Sequence, residues 1–204
     1  MHFVFDTETS GLPIGRNSDY TDLNAYDTCR IVSIAWVILP SDLQSLSPGD
    51  EFNLHLKKKD HTFHTIIKPE GFVIGEGSIR IHQITNERAA IEGMEFEEMV
   101  ILLRKALNGA HTIVAHNLRF DLYVLSSELY RRGYDDLVSL LFSMDQCCTM
   151  KLGQKMRING GKWPKLSEMH LKLVGTELLG AHDAMNDTIG CARCLRAAVT
   201  TTRI

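Results

Sequence analysis

Apolar residues run from Phe3 to Phe5 and give way to Asp6, a pattern that predicts a short strand over His2 to Asp6. Arg30 to Ile38 is rich in β-branched residues and reads as a buried strand. Thr62 to Lys68 reads as a third, closed by Pro69 and Gly71. Between the second and third, Pro40 to Asp60 is polar and carries Pro48-Gly49, which predicts a surface hairpin or loop. Asn17 to Thr28 is another polar insertion, close in sequence to the first acidic residues.

The period then lengthens. Phe96, Met99, Val100, Leu103 and Leu107 recur at helical spacing, and Asn108-Gly109 ends the run. Thr112 to Ala115 is a short buried strand. Asn117 suits a helix N-cap, with Leu118, Leu122, Leu125 and Leu129 following on one face. Arg131-Arg132-Gly133 closes that helix with cations at the negative end of its dipole and a glycine for the turn. Leu166 to Leu173 predicts a short amphipathic helix stopped by Gly175, and Ala184 to Ala198 a longer one. No internal repeat, low-complexity segment or linker interrupts the pattern. Three strands, helix, strand, helix, strand or loop, then helices: this order predicts an α/β sheet covered by helices, in a single domain over residues 1–204.

Composition narrows the setting. With 204 residues and 44% hydrophobic content, one packed core is expected. No apolar run approaches the roughly 20 residues that span a bilayer, so no membrane partner is expected. The chain opens straight into a strand, without a basic n-region or cleavage site, which argues against secretion by that route. Five cysteines, an odd number without framework spacing, suit a reducing compartment and predict a cytoplasmic protein. A net charge of −3 speaks against a broad basic nucleic-acid surface. An acidic metal cleft would inflate that negative count, however, and bound divalent ions would reverse its sign locally.

The candidate chemistry is carboxylate. Asp6 and Glu8 are two apart, so on a strand both project to the same face and can converge on one ion. They sit at the C-terminal end of the first strand, where open α/β sheets place ligands. Asp121 falls in the first turn of its helix and Asp187 in the first turns of the last. Oxygen-only ligands of this hardness select Mg²⁺ or Mn²⁺ over zinc. Each residue alone has an ordinary explanation: solvated carboxylates at a strand end, or an aspartate complementing a helix dipole. His182 precedes Asp187 by five residues, and imidazole is the side chain that exchanges protons near neutrality.

Three motifs join these residues: Phe5-Asp6-Thr7-Glu8-Thr9-Ser10-Gly11-Leu12, Ala115-His116-Asn117-Leu118-Arg119-Phe120-Asp121, and His182-Asp183-Ala184-Met185-Asn186-Asp187. In this order they resemble the DEDDh subtype of the DEDD 3′→5′ exonucleases, which includes the epsilon-like proofreading exonucleases, from Phe3 to about Ala198. The resemblance implies a ribonuclease H-like fold, a mixed sheet of about five strands flanked by helices. It implies two Mg²⁺ or Mn²⁺ ions, with Asp6 bridging, Glu8 and Asp187 completing the nucleophile-side ion, and Asp121 supporting the second. Two such ions, about 3.5–4 Å apart, activate a water and stabilise the leaving oxygen of a phosphodiester. His182 is then the general base, with His116 and Asn117 in supporting roles.

The resemblance also implies a substrate. The expected reaction releases nucleoside 5′-monophosphates from the 3′ end of single-stranded or frayed DNA; RNA is the alternative, because the motifs do not read a 2′-hydroxyl. A DNA polymerase is the protein partner the resemblance suggests, although no long docking tail follows the last helix, which favours a stand-alone enzyme. A non-catalytic nucleic-acid-binding or polymerase-accessory module is the reading from a different class. Retention of Asp6, Glu8, Asp121, His182 and Asp187 together argues against it. The sequence carries no signal for an oligomeric state.

Substrate contacts follow on the same basis. Thr7, Thr9, Gly11 and Leu12 are expected to line the pocket for the 3′-terminal nucleotide, with Asn117 and Phe120 beside it, and Gly11 permitting close backbone approach. Ile81 to Glu87 is similar to an Ile-His-Gly-Ile-Thr segment of the family, with Gln83 in place of glycine, and makes His82 a candidate contact. Lys151, Lys155, Arg157, Lys162 and Lys165, with Trp163 among them, form the densest basic stretch and suggest a track for a single strand. An ordinary solvated loop explains any one of these lysines equally well. Cys191 and Cys194 have CxxC spacing, but they share a helical stripe with Asp187 and Ala198, which predicts buried thiols rather than zinc ligands. Lys57-Lys58-Lys59 is assigned no function.

Overall fold

The computed structural model describes residues 1–15, 17–44 and 61–201. The stretch 45–60, with most of the expected surface hairpin and Lys57 to Lys59, lies outside them. Five strands form one mixed sheet: β1 (His2–Thr9), β2 (Ile31–Leu39), β3 (Thr62–Ile66), β4 (Thr112–Ala115) and β5 (Asp145–Cys148). Their order across the sheet is β3-β2-β1-β4-β5. β3, β2 and β1 pair antiparallel, whereas β1, β4 and β5 run parallel.

Eight helices are described: α1 (Glu76–His82), α2 (Asn86–Glu92), α3 (Phe96–Leu107), α4 (Leu118–Arg131), α5 (Asp135–Ser143), α6 (Thr149–Lys155), α7 (Leu166–Val174) and α8 (Ala184–Thr201). None of the described helices is long and apolar enough to cross a membrane.

Strand alternation assigns the two faces of the sheet. Phe3 and Phe5 of β1 pack with Trp36 of β2 against Met99, Leu103 and Leu107 of α3 and Leu118, Leu122 and Leu125 of α4. Val4, Val37 and Val114 point the other way, onto Cys191, Ala192 and Leu195 of α8. All nine residues of β2 are buried, because both of its faces are covered. Burying a phenylalanine or leucine of this kind stabilises the fold by about 1.5–3 kcal/mol each. A smaller cluster of Val32, Ile66, Ile74, Ile84 and Ala89 seats α1 and α2.

A buried ion pair fixes α4 to the sheet. Glu128, 2% exposed, accepts from the guanidiniums of Arg30 and Arg132 and from the backbone N–H of Ile31. Removing one partner of such a pair costs about 3–5 kcal/mol, since the other charge stays buried. The pair anchors the C-terminal half of the helix that carries Asp121 at its other end.

Several expected boundaries moved. β1 runs three residues further than expected, to Thr9, because the acidic pair still pairs with β2: Asp6 opposite Ala35 and Glu8 opposite Ser33. A register irregularity follows between Glu8 and Thr9. The segment expected as strand or loop forms α5, β5 and α6 in succession. α1 and α2 were not anticipated, since each spans only 7 residues and offers little periodicity. The insertion at 17–28 is less polar in space than in sequence. Ala25 and Tyr26 are buried in the core, and Tyr20 packs on Tyr123, Tyr130 and Phe142.

Candidate active site

The site forms where β1 and β4 part. Their pairing stops at Val4 and Val114, so Asp6 and Glu8 project beyond the last shared ladder position. Three elements enter that opening. β1 brings Asp6 and Glu8 on the face covered by α8; α8 brings Asp187 in its first turn; and α4, from the opposite face, brings Asp121. One carboxylate oxygen from each of Asp6, Glu8 and Asp187 lies within 4.8 Å of the others.

Asp121 is 3% exposed and held by its neighbour on the first strand. The backbone N–H and the hydroxyl of Thr7 both donate to its Oδ1, at 3.1 and 2.8 Å. Alternation sends Thr7 to the face opposite Asp6 and Glu8, which is the face α4 covers.

The electrostatics are those of crowded, recessed acids. Burial, and then the charges of Asp121, Asp187 and Glu8, push the Asp6 carboxyl well above the ordinary carboxylate range. Burial followed by the charge of Asp187 raises Glu8 to about 8. Burial raises Asp121 to about 7 against the lowering effect of the Thr7 hydrogen bonds. Asp187 is raised by burial and is partly relieved by His182.

A group of acids that resists ionisation is a site awaiting positive charge. Asp187 Oδ1 is buried and has no hydrogen-bond partner, while its Oδ2 accepts from the backbone N–H of His182 at 3.0 Å. A buried, unpartnered carboxylate oxygen on a residue that converges with two other acids fits a hard divalent cation. The residues fit the metal centre.

His182 lies exposed in the turn before α8, with φ 68°. Two residues lock this turn. Asp183 Oδ1 accepts from the backbone N–H of Asn186 at 3.0 Å, capping the helix, and the Asn186 amide donates to the Gly180 carbonyl at 3.1 Å. Asp183 also adds negative charge to Asp6 and Glu8. It was missed as a cap from the sequence, although Asp at a helix start is a sufficient signal.

The expected substrate contacts scatter. Thr7 is 6% exposed, with its hydroxyl on Asp121, so it faces an aspartate rather than the expected nucleotide pocket. The Thr9 hydroxyl donates to the Gly11 carbonyl at 2.7 Å. A Cβ at Gly11 would come within 2.5 Å of the Thr28 carbonyl oxygen, so the close approach there is made by the chain's own insertion. Leu12 is 74% exposed beside this turn. His82 is buried against the Thr9 backbone, and burial lowers its pKa. Phe120 is half-buried and packs on the core. Trp163 is 62% exposed, its Nε1 donating to Gln154 Oε1 at 2.9 Å.

Asn117 occupies the N-cap position but does not cap. Its φ and ψ are 68° and 45°, in the left-handed region, and its side chain accepts no helix N–H. Asparagine is chosen here for tolerating that conformation. His116 is bonded on both ring nitrogens, to Thr149 Oγ1 and to the Pro164 carbonyl, each at 3.0 Å. It ties β4 to α6 and to the loop carrying Trp163. Cys191 and Cys194 are 1% and 0% exposed, thiols of the core as the helical stripe predicted.

The RNase T exonuclease family model matches residues 3–195. The chain belongs to this exonuclease family. No curated protein sequence matches it. Among solved structures, E. coli exonuclease I in a zinc-ion-bound complex with single-stranded DNA aligns with a TM-score of 0.70 and 19% identity, over 99% of this chain and 41% of that one. A moderately thermophilic exonuclease I from Methylocaldum szegediense gives 0.68 and 19%, over 99% and 41%. Exonuclease X in complex with 5′-overhanging duplex DNA gives 0.59 and 22%, over 100% and 94%. The chain thus spans about two fifths of the exonuclease I chains and nearly all of exonuclease X. These likenesses carry the fold, an exonuclease sheet of the ribonuclease H-like kind. Divalent-metal dependence accords with the family and with the acidic cluster.

Proposed function

We propose that this exonuclease-family protein hydrolyses single-stranded DNA from its 3′ end and releases nucleoside 5′-monophosphates, using two Mg²⁺ or Mn²⁺ ions. The observation that carries the reading is the convergence of Asp6, Glu8 and Asp187 with one oxygen of Asp187 left unpartnered. When bound, the ions supply Lewis acidity and charge neutralisation at the scissile phosphate.

Asp6, Glu8 and Asp187 are the residues that would hold the first ion, and Asp121, oriented by Thr7, would support the second with Asp6. His182, exposed on a turn fixed to Asp187, takes the proton of the attacking water. The water oxygen bonds to phosphorus as the bond from phosphorus to the 3′ oxygen breaks; that oxygen takes up a proton from solvent water, and His182 returns its own to solvent. Leu12, exposed on the turn after β1, and His82, buried behind Thr9, would bound the space for the terminal nucleotide.

An all-oxygen donor set favours Mg²⁺ or Mn²⁺ as the working ion. Five unpaired cysteines support the reducing cytoplasm as its compartment. A DNA polymerase is the partner class to test.

The test is a cleavage assay on matched single- and double-stranded DNA and RNA, labelled at either end, with Mg²⁺, Mn²⁺ or EDTA. Single-stranded DNA labelled at its 5′ end should shorten stepwise, and the 3′ label should appear first as a mononucleotide. Asp6→Ala should abolish both. Cleavage that persists in EDTA would overturn the mechanism. Tight binding without cleavage in either metal would identify a binding module instead.

A further inference from the structure

A second concavity opens on the same edge of the sheet as the carboxylates. β1, β4 and β5 run parallel, so their C-terminal ends share that edge. β5 stands two strand positions from β1, each spacing about 4.8 Å. Alongside β5, and reaching the start of α4 and α6 at that edge, lies a groove of about 570 Å³.

Asn117 and Arg119 form one rim, Lys151 and Lys155 of α6 the other, and Tyr123 and Phe142 lie between them. Every charged side chain lining the groove is cationic. This is unexpected in a chain of net charge −3. The Arg119 guanidinium sits 4.7 Å from the centre of the Tyr123 ring, and Tyr20 packs against both Tyr123 and Phe142. Tyr20, which does not line the groove, thus braces both rings. The basic stretch expected from the sequence divides in space: Lys151 and Lys155 enter the groove, whereas Lys162, Trp163 and Lys165 lie exposed on the loop beyond α6 and do not line it.

We propose that this groove carries the single strand upstream of its 3′-terminal dinucleotide. The proposal rests on the exonuclease reading for which end of the strand lies at the acids. Cations spaced along both rims neutralise successive phosphodiesters, and aromatic faces stack on any base. Asn117 joins the two sites, since it ends the connection from β4 and begins the helix that carries Asp121. The cationic track also answers an electrostatic difficulty. An acidic site repels a polyanion, and binding the strand a few nucleotides away holds its end there.

Cys148, half-buried, lines the groove on the face that α4 covers and serves as a reporter. Cys29, Cys191 and Cys194 are buried, and the adjacent Cys147, also half-buried and at the groove, packs with the opposite cluster and is read separately by fragment mass. Alkylation by N-ethylmaleimide, followed by mass spectrometry, should show Cys148 protected by an eight-residue oligothymidylate with Ca²⁺ present, and unprotected by a dinucleotide. An oligouridylate of equal length separates DNA from RNA. In parallel, kcat/KM should rise with substrate length in the wild type. In Lys151→Gln/Lys155→Gln that rise should flatten, and the slope of log affinity against log salt should fall by about 1.4, at roughly 0.7 per lost phosphate contact. Lys151→Arg/Lys155→Arg should restore both.

Equal Cys148 labelling with and without the long oligomer, with length dependence unchanged in the double glutamine variant, would overturn the groove and leave the exonuclease reading intact. Protection of Cys148 without any hydrolysis in Mg²⁺ or Mn²⁺ supports the groove and defeats that reading instead.

Discussion

Thr7 directs two hydrogen bonds, one from its backbone and one from its hydroxyl, onto a single oxygen of Asp121. The strand that supplies two of the acids therefore also orients a third, across the face of the sheet. Saturating Oδ1 leaves Oδ2 as the oxygen available to an ion.

Thr7→Val keeps the shape and removes the hydroxyl. Partners that orient metal ligands typically contribute about 10–100-fold in metal affinity. If the proposed two-ion site holds, the weaker of two Mn²⁺ ions should lose affinity in that range, measured by electron paramagnetic resonance of the free ion, with Thr7→Ser restoring it. Wild-type Mn²⁺ binding in the valine variant would reduce Thr7 to a packing residue.

The crowded acids make metal-free stability depend on pH. Glu8 titrates at about 8 and Asp121 at about 7 in the folded chain, and both near 4 when unfolded. Between those limits the native state binds more protons than the unfolded state, so stability falls as pH rises. The Tm in EDTA should drop from pH 5 to pH 8. Added Mn²⁺ should raise it more at pH 8 than at pH 5, because there it competes with fewer protons. A metal-free Tm that climbs over this window would contradict the arrangement of the acids.

The fold was legible wherever periodicity was long or strictly two-fold. Phe96 to Leu107 and Thr112 to Ala115 lie where the pattern placed them, and the stripe through Cys191 and Cys194 is buried. The placement of Asp6 and Glu8 on one face was legible from a spacing of two. The role of Thr7 was not, since a residue between two ligands reads as their companion, and only the sheet's second layer shows what it meets. Asn117 misled for a similar reason: a cap and a left-handed residue share the same composition, and the dihedral angles decide between them. Tyr20 was hidden in a polar stretch because its partners, Tyr123 and Phe142, are distant in sequence.

His182 presents a separable test of proton transfer. Its backbone N–H, not its imidazole, holds Asp187, and its φ of 68° suits glycine. His182→Gly should therefore preserve the turn and the Mn²⁺ affinity while slowing single-turnover cleavage about 10²–10⁴-fold. Free imidazole should recover part of the loss. A glycine variant cleaving at the wild-type rate would assign His182 to the turn alone.

Gln83 ends α1 with φ 60° and ψ 19°, a left-handed conformation that costs a residue with a side chain about 1–2 kcal/mol. Its amide donates to the Arg80 carbonyl at 2.8 Å and offsets part of that cost. The turn matters because it sets His82 against the Thr9 backbone, just past the acids. Glycine would relieve the strain but enlarge the freedom of the unfolded chain, a loss of about 0.4–1 kcal/mol. The two nearly balance, so Gln83→Gly should shift the Tm by less than about 2 °C. Valine cannot enter this region without a clash at its branched Cβ. Gln83→Val should therefore fall below Gln83→Gly by about 1–2 kcal/mol, or roughly 2–8 °C in a chain of this size. Calorimetry of the two variants at one pH, both in EDTA, measures the difference free of metal binding. Equal Tm values would mean that residue 83 does not hold the left-handed turn.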